Sequence, residues 1–441
     1  MAIFLLILVM VFALAGLVRP FYGLLGLLVV NVLQPGELYP SLAPLHLERT
    51  LAIILLFCVL LHRKKLRFPK ITLLILVFYA AMWLAVPLAF WRGNSIAGCI
   101  DFGPIVVYHL LIVALIVNTE EFHKYLILGM FLVAWLGGAA YWRYEHGIVQ
   151  VAMDIDRAIG ITSSGGDANT LGITLVCSLP LLFLLTTKDN SWWMRILAWS
   201  VMTLSVATVI DTGSRTSFFV FILFVVLTLM RQKKYWKFLP LLPLAGFLLW
   251  AAIPQQYKAR YETVDHLKND ESYQNRVLSW EGGVQMFLSN PLTGIGPDNY
   301  AIANGEKFWP GFPRHWLQAH SLYFQLLGEL GLLGMITWYS FLITLIALNF
   351  RLSRKMKDNP HFPSYLKQFP GMCNIAIFIL LVASYSAHTL YRETWYSLAA
   401  LSGVVQYLAV KKESIEDAEP EEDRPNPLLI PLPKPSLKAV V

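Results

Sequence analysis

The 441 residues are 56% hydrophobic and only 14% charged, whereas a soluble domain usually carries about a quarter charged residues. That balance excludes an ordinary soluble domain and implies a hydrocarbon solvent. The net charge of +7 gathers in loops between apolar runs, which makes it a topological signal and argues against a nucleic-acid partner.

An α-helix needs roughly 20 apolar residues to cross a bilayer core of about 30 Å. Spans are predicted in chain order at Ile3 to Val18, Phe21 to Leu33, Leu51 to Leu61, Ile71 to Phe90, Phe102 to Val117 and Tyr125 to Tyr141. Next come Leu171 to Leu185, Trp193 to Ile210, Ser217 to Met230, Phe238 to Ile253, Leu322 to Phe350, Met372 to Leu390 and Trp395 to Val410. The first two are short and joined only by Arg19-Pro20, so they read as two spans or one broken helical pair, and the total stands at 12 to 13. Ile3 to Val18 lacks a basic leader and a small-residue cleavage pattern, so it reads as an uncleaved span. Runs of this length without period-2 alternation predict an all-α polytopic bundle and exclude a barrel.

Basic residues set the orientation. Arg63, Lys64, Lys65, Arg67 and Lys70 fill one connection; Arg231, Lys233, Lys234 and Lys237 a second; Arg351, Arg354, Lys355 and Lys357 a third. The positive-inside rule makes all three cytoplasmic, and the number of spans between them is even each time. Connections near Arg92, at residues 142 to 168, at Asp211 to Arg215 and at Pro254 to Gln318 then face outward. The expected organisation is a transmembrane bundle over 1–253, an outward-facing loop over 254–318, further spans over 319–410 and a tail over 411–441. The tail is acidic and then rich in proline, a composition that cannot bury enough apolar surface to fold. Cys58, Cys99, Cys177 and Cys373 are scattered without ligand spacing, so core packing is the reading and neither a disulfide framework nor a zinc site is suggested.

A loop as long as Pro254 to Gln318 in a compact protein is usually functional. It holds its own helix: Val277, Trp280, Val284, Phe287 and Leu288 share one face at 3.6-residue spacing, predicting an amphipathic helix along the membrane surface. Asn290-Pro291 ends it, and Gly294 and Gly296 mark a turn.

The run Arg276-Val-Leu-Ser-Trp280, then Asn290-Pro-Leu-Thr-Gly-Ile-Gly296 with Asp298 and Tyr300, then His320-Ser-Leu-Tyr323 and Glu329-Leu-Gly-Leu-Leu-Gly334 resembles the O-antigen ligase and O-antigen polymerase superfamily. Ser214-Arg215-Thr216 is similar to the family's outward-facing arginine motif. Arg19-Pro20 and Gly165-Gly166-Asp167-Ala168-Asn169 look like a subgroup, the O-glycosylation ligases of exopolysaccharide-linked systems. The resemblance implies a fold like that of C-type glycosyltransferases, in a bacterial inner membrane. It also implies an activity that moves a glycan from an undecaprenyl-pyrophosphate-type lipid to an acceptor hydroxyl on a lipid, glycan or protein. Polymerisation by the same superfamily is the alternative; a transporter or flippase of lipid-linked sugars and a non-catalytic assembly subunit are the competing classes.

The chemistry suits the residue types. A pyrophosphate-linked sugar carries its own leaving group, so the protein must neutralise developing charge, for which guanidinium is apt. A histidine titrating near neutrality suits removal of the acceptor proton. Arg215, Arg276 and His320 are therefore the candidate catalytic residues, against the plainer readings of snorkelling arginine, solvated arginine and helix-start histidine. Arg314, His315, Asn169 and Tyr323 are candidates for substrate binding, although Asn169 and Asp167 beside glycines also suit a turn or helix cap. Glu329, within an apolar run, suits a structural hydrogen bond between helices. Glu37 and Glu48 are isolated, so no acidic pair for a divalent cation is expected, and no cofactor is implied.

Overall fold

The computed structural model describes residues 2–61, 67–152, 155–162, 166–232, 236, 240, 271–309 and 314–416. The expected span Phe238 to Ile253 except Pro240, the basic residues Arg63, Lys64, Lys65, Lys233, Lys234 and Lys237, loop residues 254–270 and the tail from 417 lie outside them.

The helices, in order, are α1 (Ala2–Val18), α2 (Pro20–Leu33), α3 (Leu47–Leu61), α4 (Lys70–Ala85), α5 (Arg92–Leu115), α6 (Thr119–Glu145) and α7 (Ala168–Leu184). There follow α8 (Trp192–Asp211), α9 (Arg215–Arg231), α10 (Glu271–Ser289), α11 (Leu322–Met356), α12 (Ser364–Ala383) and α13 (Glu393–Glu416). A small hairpin pairs Gln150–Ala152 with Ile155–Arg157. The chain is an all-α polytopic membrane protein: among the described residues, seven helices are long and apolar enough to cross a bilayer, with three shorter apolar ones beside them. Outward faces such as Phe4, Ile7 and Leu14 of α1, or Trp193, Ile196 and Trp199 of α8, are apolar and exposed, as hydrocarbon requires. By contrast two thirds of the most apolar stretch of α12 is buried, which puts that helix at the centre, packed on α7 and α11.

Local signals explain most boundaries. Arg19 is extended and Pro20 opens α2, where a missing N–H costs nothing, so the Arg19-Pro20 junction separates two helices that pack on each other. Asn118, Asp167, Ser191 and Ser214 cap α6, α7, α8 and α9 with side-chain oxygens, each satisfying an otherwise orphaned N–H.

Two expected spans need correction. The run Met372 to Leu390 is not one helix: α12 begins earlier and stops at Ala383, where the Ser384 hydroxyl turns back to the Leu380 carbonyl and meets Thr389. Residues 384–392 are therefore a loop, which hydropathy averaging cannot see. The last helix also continues through Glu416, past the Lys411 at which the tail was expected to begin.

The run Leu322 to Phe350 lengthens to Met356 and is broken at Gly331, whose φ of 56° and ψ of −151° no helix contains. Loop 290–296 fills the break. The N–H groups of Ile295 and Gly296 donate to the carbonyls of Gly328 and Glu329, and those of Leu332 and Leu333 donate to Pro291 and Leu292, all at 2.9 Å. The glycine is required there: a Cβ on Gly331 would stand 2.6 Å from the Pro291 oxygen. Glu329, buried beside the break, makes the expected hydrogen bonds between elements, accepting from the Tyr391 hydroxyl at 2.6 Å and the Tyr300 N–H at 3.3 Å.

The helix ends sort into two sets. At one, Phe90 and Ser95 bond residues 295–297, Arg157 reaches the Thr212 carbonyl and Thr216 meets Ser386. At the other, Arg67 bonds the Ala114 carbonyl, Arg231 bonds Ser353 and Tyr365 bonds the Thr119 carbonyl. Every connection expected to face outward lies, where described, in the first set, and Arg67 and Arg231, from two of the basic clusters, lie in the second.

Candidate active site

The surface helix is α10, and it ends at Ser289, beside Asn290-Pro291 as expected. Its protein-facing side differs from the expected stripe. Ser279, Gly282, Gly283 and Met286 are buried, while Val284 and Leu288 are 36% and 61% exposed. Periodicity finds an apolar face but cannot say whether protein or lipid covers it; here the glycine side admits the close approach of Asn304 and Tyr300. The Ser279 hydroxyl donates to the Gln318 carbonyl at 3.0 Å and the Trp280 indole to the Ala319 carbonyl at 2.9 Å. The Trp280 ring stacks on Phe324 with centroids 5.1 Å apart. These bonds lock α10, and with it Arg276, to the chain immediately before α11.

His320 stands at that junction. Its φ of 45° is left-handed, a sparsely populated state for a residue with a Cβ and one that marks a specific geometric demand. The next peptide but one is anchored, since the Leu322 N–H donates to the Ser384 carbonyl at 2.9 Å. The ring meets that of His388, from loop 384–392, edge to face at 5.4 Å. Burial, then the neighbouring His388 and Arg276, pull the His320 pKa down to about 4 against the opposing charge of Asp167. Burial and Arg392 likewise lower that of His388. The His320 ring is therefore neutral at pH 7 and can accept a proton.

Asp167 completes the wall. It caps α7, accepting from the N–H groups of Asn169 at 2.9 Å and Thr170 at 3.0 Å and from the Thr170 hydroxyl. Burial would raise its pKa, but these bonds and the Arg392 charge outweigh that and hold it below the ordinary carboxylate value. Thr170 in turn accepts from Arg392 at 2.7 Å. Asn169 accepts from Arg157 at 2.9 Å, and Arg157 also donates to Thr212 at 2.8 Å, which ties the hairpin to the ends of α7 and α8.

The structure thus groups Arg276 and His320 with Asp167, His388 and Arg392. Arg215 is half-buried as the first residue of α9, joined to the same loop by its neighbour Thr216, which bonds Ser386 at 2.7 Å. Asn169 adjoins the group through Thr170. Tyr323 turns into the bundle, its hydroxyl donating to the Leu381 carbonyl at 2.9 Å. Arg314 donates to the Glu306 carbonyl and His315 packs on Trp309; these contacts hold them in the loop before His320.

Residues 200–339 match the family model Wzy_C, described as O-antigen ligase. Over that stretch, about a third of its length, the chain is similar to the O-antigen ligase superfamily. No curated protein matches it. The match supports a membrane enzyme of the ligase and glycosyltransferase class, and it spans Arg215, Arg276, Arg314, His315, His320 and Tyr323. Asp167 and Thr170 precede the matched stretch; His388 and Arg392 follow it. Sequence reasoning passed over His388 and Arg392 because a hydropathy window absorbed the first into a span and left the second between two spans. The signal was present: a histidine and an arginine four residues apart in an apolar stretch are costly in a membrane and mark a functional hypothesis.

Proposed function

We propose that the protein moves a glycan from an undecaprenyl-pyrophosphate-type lipid to an acceptor hydroxyl, at the periplasmic face of a bacterial inner membrane. The acceptor oxygen attacks the anomeric carbon, the bond from that carbon to the pyrophosphate oxygen breaks, and the lipid pyrophosphate leaves with the electron pair. The acceptor proton goes to His320. Arg215 and Arg276 neutralise the charge that grows on the leaving group, the service a divalent cation gives elsewhere, so the proposed reaction is metal-independent.

The observation that carries the reading is the juxtaposition of His320 and Arg276, a neutral base beside a fixed cation, locked together through the Ser279 and Trp280 hydrogen bonds to residues 318 and 319. A bound pyrophosphate adds negative charge beside His320, which raises its basicity from the depressed value toward the useful range. A transporter would use a broken helix to line a passage. The break at Gly331 supports the enzyme instead, because loop 290–296 takes up its freed backbone groups.

The test is the purified protein with a labelled lipid-linked donor, a panel of lipid, glycan and protein acceptors, and a chelator arm. Acceptor-dependent transfer that survives chelation is expected. Passage of the donor across a vesicle without any transfer would overturn the proposal. Cysteine labelling from the periplasm fixes the side: residue 307 should label in intact cells and residue 233 should not.

A further inference from the structure

Arg392 has an unusual position for a structural arginine. It is half-buried between the start of α7 and the start of α13, which Glu393 opens. Helix N-termini carry partial positive charge, so a cation there is opposed by both dipoles. Its one side-chain hydrogen bond among the described residues is to the Thr170 hydroxyl, although a guanidinium has five N–H donors. Among the described residues no carboxylate lies within ion-pair distance of it.

Asp167, whose charge Arg392 feels, does not close the gap. Asp167 spends its oxygens on the N–H groups of Asn169 and Thr170 and on the Thr170 hydroxyl. Thr170 is therefore a strut, donating to Asp167 while accepting from Arg392. It fixes the guanidinium in place and leaves its remaining donors available. Leaving a charge partly shielded from water without a partner is unfavourable unless a ligand supplies one.

The position of Arg392 indicates which ligand. His388, four residues earlier, feels the Arg392 charge, and its ring meets that of His320, which in turn feels Arg276. The order is Arg276, His320, His388, Arg392: two imidazoles between two guanidiniums. We propose that Arg392, braced by Thr170 and Asp167, is a further anion-binding residue of the site and takes one of the two phosphates of the donor while Arg276 takes the other. The inference rests on the pyrophosphate reading given above and deepens it.

The probes are polyprenyl pyrophosphate and polyprenyl monophosphate, each titrated as an inhibitor of transfer by the full-length protein in nanodiscs. The wild type should prefer the pyrophosphate. Arg392→Gln should weaken pyrophosphate inhibition by about 10- to 100-fold, the range for a lost charge-assisted hydrogen bond, and leave monophosphate inhibition within about 2-fold. Thr170→Val, which removes the strut and keeps the charge, should fall between, as should Arg392→Lys. Should the glutamine variant fail to fold, the lysine and valine variants carry the test. A wild-type preference that all three variants retain overturns the role of Arg392 alone. A wild type without any preference for the pyrophosphate overturns the pyrophosphate reading itself.

Discussion

The two ends of the bundle use arginine in opposite ways. At the basic end, Arg67 donates to a carbonyl in the last turn of α5 and lies 3.6 Å over the Tyr407 ring, and Arg231 sits in the last turn of α9. Both complement the negative ends of helix dipoles, so they contribute to the fold without a ligand. At the other end, Arg215 opens α9 and Arg392 directly precedes α13, where the dipole disfavours a cation. In the proposed reaction those arginines face the donor's anionic group. The same side chain holds helices together at one end and, on that proposal, meets the substrate at the other, and the helix terminus it occupies distinguishes the two.

The largest break in that comparison should come from His320→Ala. If the ring takes the acceptor proton, transfer falls by about 100- to 10,000-fold while the affinity for polyprenyl pyrophosphate stays within a few-fold. His315→Ala is the control and should show the smaller loss. Donor binding that collapses together with turnover would reassign His320 to a phosphate contact.

Gly331→Ala should unfold the joint between loop and helix that both ends depend on. A positive-φ position and a 2.6 Å contact with the Pro291 oxygen together cost about 1–3 kcal/mol for the backbone alone. The measurement is the midpoint of thermal unfolding in detergent, which should drop clearly. An unchanged midpoint would mean that the break relaxes freely.

Arg215→Lys and Arg276→Lys keep the charge and lose the two-pronged geometry, so transfer should fall by roughly 10-fold, one charge-assisted hydrogen bond at its lower value. Arg67→Ala at the basic end should leave turnover per folded molecule within about 2-fold. Equal losses at the two ends would erase the distinction drawn here.

The smallest effect is on pH dependence. The base must be neutral to act, and burial holds His320 down to about 4. The acid limb of kcat/KM, which reports the free enzyme, should therefore fall away below the ordinary histidine value of about 6.5, with full activity retained at pH 6. A limb centred at 6.5 would place the ring in water.

Much of this molecule was legible in its sequence, and the reason is the solvent. Hydrocarbon demands long apolar runs with internally bonded backbones, so composition and run length alone established the helical membrane fold. Cap residues such as Asp167 and Ser214, and the proline at position 20, marked helix starts because an N-terminal N–H needs an oxygen or no hydrogen at all. Arg215, Arg276 and His320 stood out through motif order. What the sequence withheld depends on contacts between distant segments. An apolar average cannot register that Ser384 ends a helix, that loop 290–296 replaces the backbone partners lost at Gly331, or which side of α10 meets protein. Nor can it bring residue 170 to residue 392: the hydrogen bond between them exists only because α7 and α13 converge at one end of the bundle. Periodicity reports which face of a helix is apolar, and the tertiary structure alone decides which neighbour that face meets.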